Sequence, residues 1–198
     1  LNLADMLERF KDEFGTDFVT GLPCGELREF IRQSQLDPSI THMPTTNERE
    51  AIGVATGAWL GGKRPALYMQ NSGLFLASND IGSLMIPSKI DAAFAISWRG
   101  GLGETATQHF VTGTNTPLLL DGFGFEKTTQ PSRESIHDIK LRQDQSHMPA
   151  AVLIRRQKYN LPPEPLDIDT VERPVSQRES LETPDGSLSR EEALATIV

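Results

Sequence analysis

The sequence predicts an α/β fold: a doubly wound, mostly parallel sheet with helices on both faces, followed by an extended C-terminal arm. Two observations carry this expectation. From about residue 3 to 155, continuous apolar runs such as Ala92-Ala93-Phe94-Ala95-Ile96 and Ala150-Ala151-Val152-Leu153-Ile154 alternate with helical patterns, as strands buried on both faces do. Past Tyr159 the composition turns proline-rich, acidic and aperiodic, beginning Leu161-Pro162-Pro163-Glu164-Pro165, which reads as a linker or arm.

Taken in order, Leu3, Met6, Leu7, Phe10 and Phe14 fall at helical spacing and predict an amphipathic first helix. Phe18-Val19-Thr20 is a short buried strand, broken by Gly21-Leu22-Pro23. Leu27, Phe30 and Ile31 open a second helical face, and Ile40 to Met43 reads as another strand. Thr45-Thr46-Asn47 is a polar N-cap for a helix from Glu48 to Leu60, stopped by Gly61-Gly62. Ala66 to Met69 is a strand, Asn71-Ser72-Gly73 a turn, and a helix follows to about Met85. After the strand at 92–96 comes an irregular glycine-rich stretch, then a helix from about Ser132 to Gln145 and a closing strand at 150–154. Ser189 to Glu192 forms a capping box that opens a further helix.

Bulk properties exclude some functions. The chain has 198 residues and a formal net charge of -8, which argues against binding nucleic acid through phosphate neutralisation. No apolar run approaches the ~18 residues a membrane span needs, and no basic, apolar leader opens the sequence. A single cysteine rules out an internal disulfide framework. The expectation is an acidic cytoplasmic protein that contacts neither nucleic acid nor membrane.

In a doubly wound sheet, ligands sit beyond the carboxyl ends of the strands. The polar segments expected there are Gly21-Leu22-Pro23-Cys24, Thr46-Asn47-Glu48, Gln70-Asn71-Ser72-Gly73 and Ser97-Trp98-Arg99-Gly100, with Thr107-Gln108-His109 following. Glu48 opens an otherwise apolar helix. A carboxylate is favoured there by the helix dipole alone. Small residues Gly53, Ala55, Gly57 and Ala58 would allow close approach of another element, and a carboxylate desolvated in such a contact is suited to sharing a proton with a ligand. Gln70 to Gly73 is equally a plain strand-to-helix connection. His109 suits substrate contact or proton donation near neutrality. Arg99 suits either a bidentate grip on an acidic group or a structural role capping nearby carbonyls. Cys24 reads as a small buried residue at a helix start, since no thiolate chemistry is indicated.

The ordered strings Thr46-Asn47-Glu48-Arg49-Glu50-Ala51, Tyr68-Met69-Gln70-Asn71-Ser72-Gly73-Leu74, Ile96-Ser97-Trp98-Arg99-Gly100 and Gln108-His109, with the Gly21 to Cys24 turn before them, resemble the pyrimidine-binding domain of thiamine-diphosphate-dependent phosphonopyruvate decarboxylases and of the sulfopyruvate decarboxylase α subunit. The resemblance spans about residues 1–158. It implies that Glu48 bonds the aminopyrimidine ring of thiamine diphosphate and that Gln70, Asn71, Ser72 and Gly73 lie against that ring. It also implies that Pro23, Cys24, Gln108, His109 and Arg99 face a small 2-oxo acid, with His109 catalytic beside Glu48.

In that superfamily the diphosphate is held through Mg2+ by a Gly-Asp-Gly sequence, which this chain lacks. No metal ligand is therefore expected here, and Mg2+ falls to a diphosphate-binding domain or subunit in a homo- or hetero-oligomer. The expected domains are 1–158 for pyrimidine binding, 159–187 as linker and 188–198 as the start of a further helix. The last resembles the first helix of the diphosphate-binding domain in single-chain members, which favours a fused chain over a separate α subunit. Two departures leave the substrate's acidic group open: Phe75-Leu76-Ala77-Ser78 is bulkier than the family pattern, and Gly101 to Thr107 less acidic. A carboligating enzyme like the acetohydroxyacid synthases and a non-catalytic scaffold or regulatory subunit are the alternatives.

Overall fold

The computed structural model describes residues 5–101 and 104–155; the expected linker at 159–187 and the helix at 188–198 lie outside the described residues. Six strands form one all-parallel sheet in the order β2-β1-β3-β4-β6-β5. They are β1 (Phe18–Gly21), β2 (Thr41–Pro44), β3 (Pro65–Gln70), β4 (Ala93–Trp98), β5 (Glu126–Thr128) and β6 (Ala150–Arg155). Because side chains alternate along a strand, the continuous apolar runs divide between two cores. Val19, Ala66, Tyr68, Ala95 and Val152 point to one face, where they meet Phe10 of α1 (Met6–Phe14), Phe30 of α2 (Arg28–Leu36) and Ile136 of α7 (Arg133–Ser146). Leu67, Met69, Phe94, Ile96 and Leu153 point to the other. There they meet Ile52 of α3 (Glu48–Leu60), Leu74 of α4 (Asn71–Leu76) and Leu120 of α6 (Phe110–Gly122). Helices therefore cover both faces, as the sequence predicts.

The central helices and strands fall within a few residues of expectation. Between β3 and β4 the structure differs: Asn71-Ser72-Gly73 is the first turn of α4, not a separate turn. The chain continues through the short α5 (Ser78–Asp80) and a π-helical segment, Ile81–Met85. Two further elements are not among those the sequence patterns predict. Strand β5 is the three residues Glu126-Lys127-Thr128, paired only with β6 at the sheet edge. Helix α6 contains Pro117, which cannot donate to the carbonyl four residues back. That carbonyl, Gly113 O, accepts instead from the Trp98 indole N–H at 2.8 Å. A helix defect is thus turned into the contact that anchors the end of β4.

On leaving β1 the chain crosses to β2 on one side, then to β3 on the other. The β1/β3 boundary is the switch point at which doubly wound sheets open a crevice. Gly21 ends β1 there, with φ 154° and no room for a Cβ against the Tyr68 carbonyl. The glycine thereby holds the Leu22–Cys24 turn against the end of β3. Among the described residues, no helix is long and apolar enough to cross a membrane.

Candidate active site

A cavity of about 310 Å³ opens at this switch point, lined by Leu22, Pro23, Cys24, Gly25, Glu48, Gln70 and Ser72. Three βα connections build it, those after β1, β2 and β3. A larger cleft of about 470 Å³ lies at the opposite, amino end of the sheet and includes Trp59, Arg64, Asp91, Lys140 and Asp144. Its polar groups satisfy one another, Trp59 donating to Asp91 and Lys140 pairing with Asp144, and it holds none of the candidate residues.

Glu48 owes its position to a well-capped helix. The Asn47 side chain accepts from Glu50 N–H at 2.9 Å, while the Glu50 carboxylate accepts from the backbone N–H and hydroxyl of Thr46 at 2.8 and 2.7 Å. This reciprocal cap fixes Glu48 as the first residue of α3. Its side chain is only 7% exposed, and it lies against the backbone of Gly73, where any Cβ would collide with its carboxyl. Among the described residues no hydrogen-bond donor reaches that carboxylate. The carboxylate lines the cavity and is free to accept from water or from a proton-bearing ligand nitrogen there. Next to it, the Gln70 amide donates to the Ser72 hydroxyl at 2.7 Å. Gly53 and Gly57 face outward with open space around them, where a second subunit could approach closely, while Ala51, Ile52 and Ala55 meet the sheet.

Asn71 has a different position from its neighbours. It is fully buried, its amide donating to Arg99 O at 3.2 Å and Thr116 Oγ1 at 3.0 Å while its carbonyl accepts from Arg99 N–H at 3.1 Å. The side chain is spent on clamping the end of β4 to α6, so the structure does not bring it into the cavity. Arg99 is likewise engaged. Its guanidinium forms a bidentate pair with Glu104 at 2.6 and 2.8 Å, which holds it charged. The same pairing pulls the Glu104 carboxyl down to about 2, with help from the Ala106 and Gly100 N–H groups. Weaker charge interactions of Arg99 with Glu26 and Cys24 place the β4 loop beside the β1 loop.

Gln108 and His109 occupy a 3-10 turn, Thr107–His109, that leads into α6. Gln108 is exposed, and His109 has a buried Nδ1 without a partner among the described residues. The turn is fixed from behind by Gly100, whose φ of 84° and contact with the His109 carbonyl exclude any Cβ, and by Gly113, which packs on Gly100. The described residues thus bring Pro23, Cys24, Glu48, Gln70 and Ser72 together around the cavity, with Gly73 behind Glu48. Arg99, Gln108 and His109 lie on the adjoining β4 loop.

The Glu104 pairing has a measurable signature. A carboxylate whose folded pKa is depressed stabilises the fold above its unfolded pKa of about 4.3, and this contribution is lost as pH falls toward the folded value. Thermal melts of the native protein and of Glu104→Gln should therefore differ most above pH ~5 and converge toward pH ~2. A difference that stayed constant with pH would mean the ion pair contributes nothing beyond shape.

No family model matches the chain. It is 36% identical over 158 residues to the sulfopyruvate decarboxylase subunit alpha of Methanococcus maripaludis, a match covering 78% of this chain and 95% of that one. The chain belongs to the sulfopyruvate decarboxylase α-subunit family. The subunit alpha of Methanothermobacter thermautotrophicus is 37% identical over 135 residues, 82% of its length. A phosphonopyruvate decarboxylase of Streptomyces viridochromogenes is 41% identical over 108 residues, but this family member spans only 27% of its length. Among solved structures, a putative thiamin diphosphate-dependent enzyme from Mycobacterium smegmatis matches with a TM-score of 0.61 at 13% identity. The thiamine diphosphate-dependent 4-hydroxybenzoylformate decarboxylase of Rhodococcus jostii matches with 0.57 at 11%. Each covers 78% of this α-subunit homologue, which spans 31% and 30% of those chains; these matches show a common fold.

Several residues that shape the site had no individual signal in the sequence of this α-subunit homologue. Glu104 and Thr116 sit in segments without periodic apolar positions, and their partners Arg99 and Asn71 are 5 and 45 positions away. Among the described residues no group of three or more His, Cys, Asp or Glu is placed to hold a metal ion.

Proposed function

We propose that this chain is the pyrimidine-binding half of a thiamine-diphosphate-dependent decarboxylase that converts a 3-carbon 2-oxo acid, sulfopyruvate or phosphonopyruvate, to an aldehyde and CO2. One observation carries the reading: Glu48, nearly buried, seated on Gly73 at the switch-point cavity and without a donor among the described residues. The relatives named sulfopyruvate and phosphonopyruvate decarboxylase support the choice of substrate class. The residues present fit the aminopyrimidine end of the cofactor. Glu48 would accept a hydrogen bond from the protonated ring nitrogen and so hold that proton in place. Gln70 and Ser72 give a polar edge beside it, and the Leu22-Pro23 turn gives an apolar wall. Thiamine diphosphate, when bound, supplies a nucleophilic carbon and an electron sink for loss of CO2. His109, with Gln108, is assigned to the substrate side as proton donor.

The diphosphate and its Mg2+ are assigned to a partner domain or subunit, because this sequence has no Gly-Asp-Gly. The name "subunit alpha" of its relatives supports a hetero-oligomer. The test is reconstitution of the full chain with a diphosphate-binding subunit, thiamine diphosphate and Mg2+. Titration calorimetry should detect cofactor binding only in the mixture, which should release CO2 from sulfopyruvate or phosphonopyruvate. Cofactor binding without turnover of either acid would overturn the decarboxylase assignment. Tight binding to this chain alone would overturn the half-site.

A further inference from the structure

The residue that the sequence offers as receptor for an acidic group, Arg99, has its guanidinium occupied by Glu104. A second arginine at the same edge of the sheet has no carboxylate partner among the described residues. Arg155 ends β6, in register with Trp98 of β4. Its guanidinium carbon lies 3.9 Å over the Trp98 ring, and that indole is itself anchored to Gly113 O. Gly101 makes room on the remaining side, since a Cβ there would come within 2.7 Å of Arg155 Nη1. No carboxylate among the described residues pairs with Arg155. The guanidinium is therefore stacked and oriented, with N–H donors left over, the state in which an arginine takes an oxyanion edge-on. The register Gln70–Ser97–Ile154 puts the neighbouring residue of β6 two strands from Gln70, roughly 10 Å across the sheet.

We propose that Arg155 is the receptor for the substrate's second acidic group, the sulfonate or phosphonate distal to the 2-oxo acid. This rests on the decarboxylase reading above and adds the residue that separates such substrates from plain 2-oxo acids. The test uses the full chain reconstituted with its diphosphate-binding partner, comparing wild type, Arg155→Gln and Arg155→Lys. For sulfopyruvate and phosphonopyruvate, KM should rise about tenfold or more in Arg155→Gln with kcat held within about threefold, and Arg155→Lys should fall between because a point charge lacks the fork. An active wild type with unchanged KM in Arg155→Gln overturns the assignment, as does a loss confined to kcat. If the wild type turns over neither acid, the decarboxylase reading fails and the anion site is tested separately. In a Trp59→Phe background, sulfate should then quench Trp98 fluorescence at lower concentration with Arg155 than with Arg155→Gln. Identical quenching curves overturn the site.

Discussion

Replacing Glu48 by Gln should lower kcat of the reconstituted enzyme by roughly 100-fold or more, about 2.7 kcal/mol of barrier, while leaving the fold intact. The side chains are nearly isosteric, the Asn47–Glu50–Thr46 cap does not involve the Glu48 carboxyl, and Gly73 accommodates either group. What changes is charge and proton affinity: an amide oxygen cannot hold a ring nitrogen in its protonated form as a carboxylate does. CO2 release under saturating substrate, beside a thermal melt, separates the two effects. Turnover within a fewfold of wild type would remove Glu48 from the chemistry and revive a non-catalytic role for the subunit.

The second large effect is expected at Gly73→Ala. In most exposed helical positions this change stabilises a protein by a few tenths to about 1 kcal/mol. Here the new methyl would occupy the space of Glu48 Cγ and its carboxyl. The carboxylate must leave its seat, so activity should fall nearly as far as in Glu48→Gln, and overpacking should destabilise the fold by about 1–3 kcal/mol. Because the clash is with one side chain, the double variant Glu48→Ala/Gly73→Ala should recover most of that stability, giving a coupling within the range of about 0.5–3 kcal/mol seen for contacting residues. Urea unfolding of the two single variants and the double variant measures it. Strict additivity would show that Gly73 is required for some reason other than Glu48.

Much of this architecture is legible in the sequence because the central strands are buried on both faces and read as unbroken apolar runs; Ala93–Ile96 and Ala150–Ile154 have no other plausible setting. The polar cap marks Glu48 as the first residue of its helix, whereas its role toward a cofactor is implied only by the family resemblance. The parts that were not legible depend on contacts distant in sequence. Strand β5 pairs on one side only, so it needs no apolar run and shows none. Helix α6 tolerates Pro117 and Gly113 because Trp98 and Gly100 fill the positions those residues vacate. The engagement of Asn71 and Arg99 is of the same kind. Their residue types suggest ligand contact, yet both are used within the chain, by Thr116 and Glu104. Site segments could be assigned from sequence, but which member of each segment faces the cavity follows from packing.

The strand order has a further consequence for how the chain reaches this state. Strand β6 inserts between β4 and β5, so β5 has no neighbour until the chain has been synthesised through Arg155. During translation β1, β2 and β3 already have their partners while β4 has only β3, and the cavity around Glu48 is built entirely from that early segment. The half of the sheet carrying β5 is left waiting for a single late strand, and with parallel pairings throughout there is no local hairpin to hold it meanwhile. An assembly intermediate with a formed crevice and an open flank at β4 follows from the topology, with β6 as the strand that closes it.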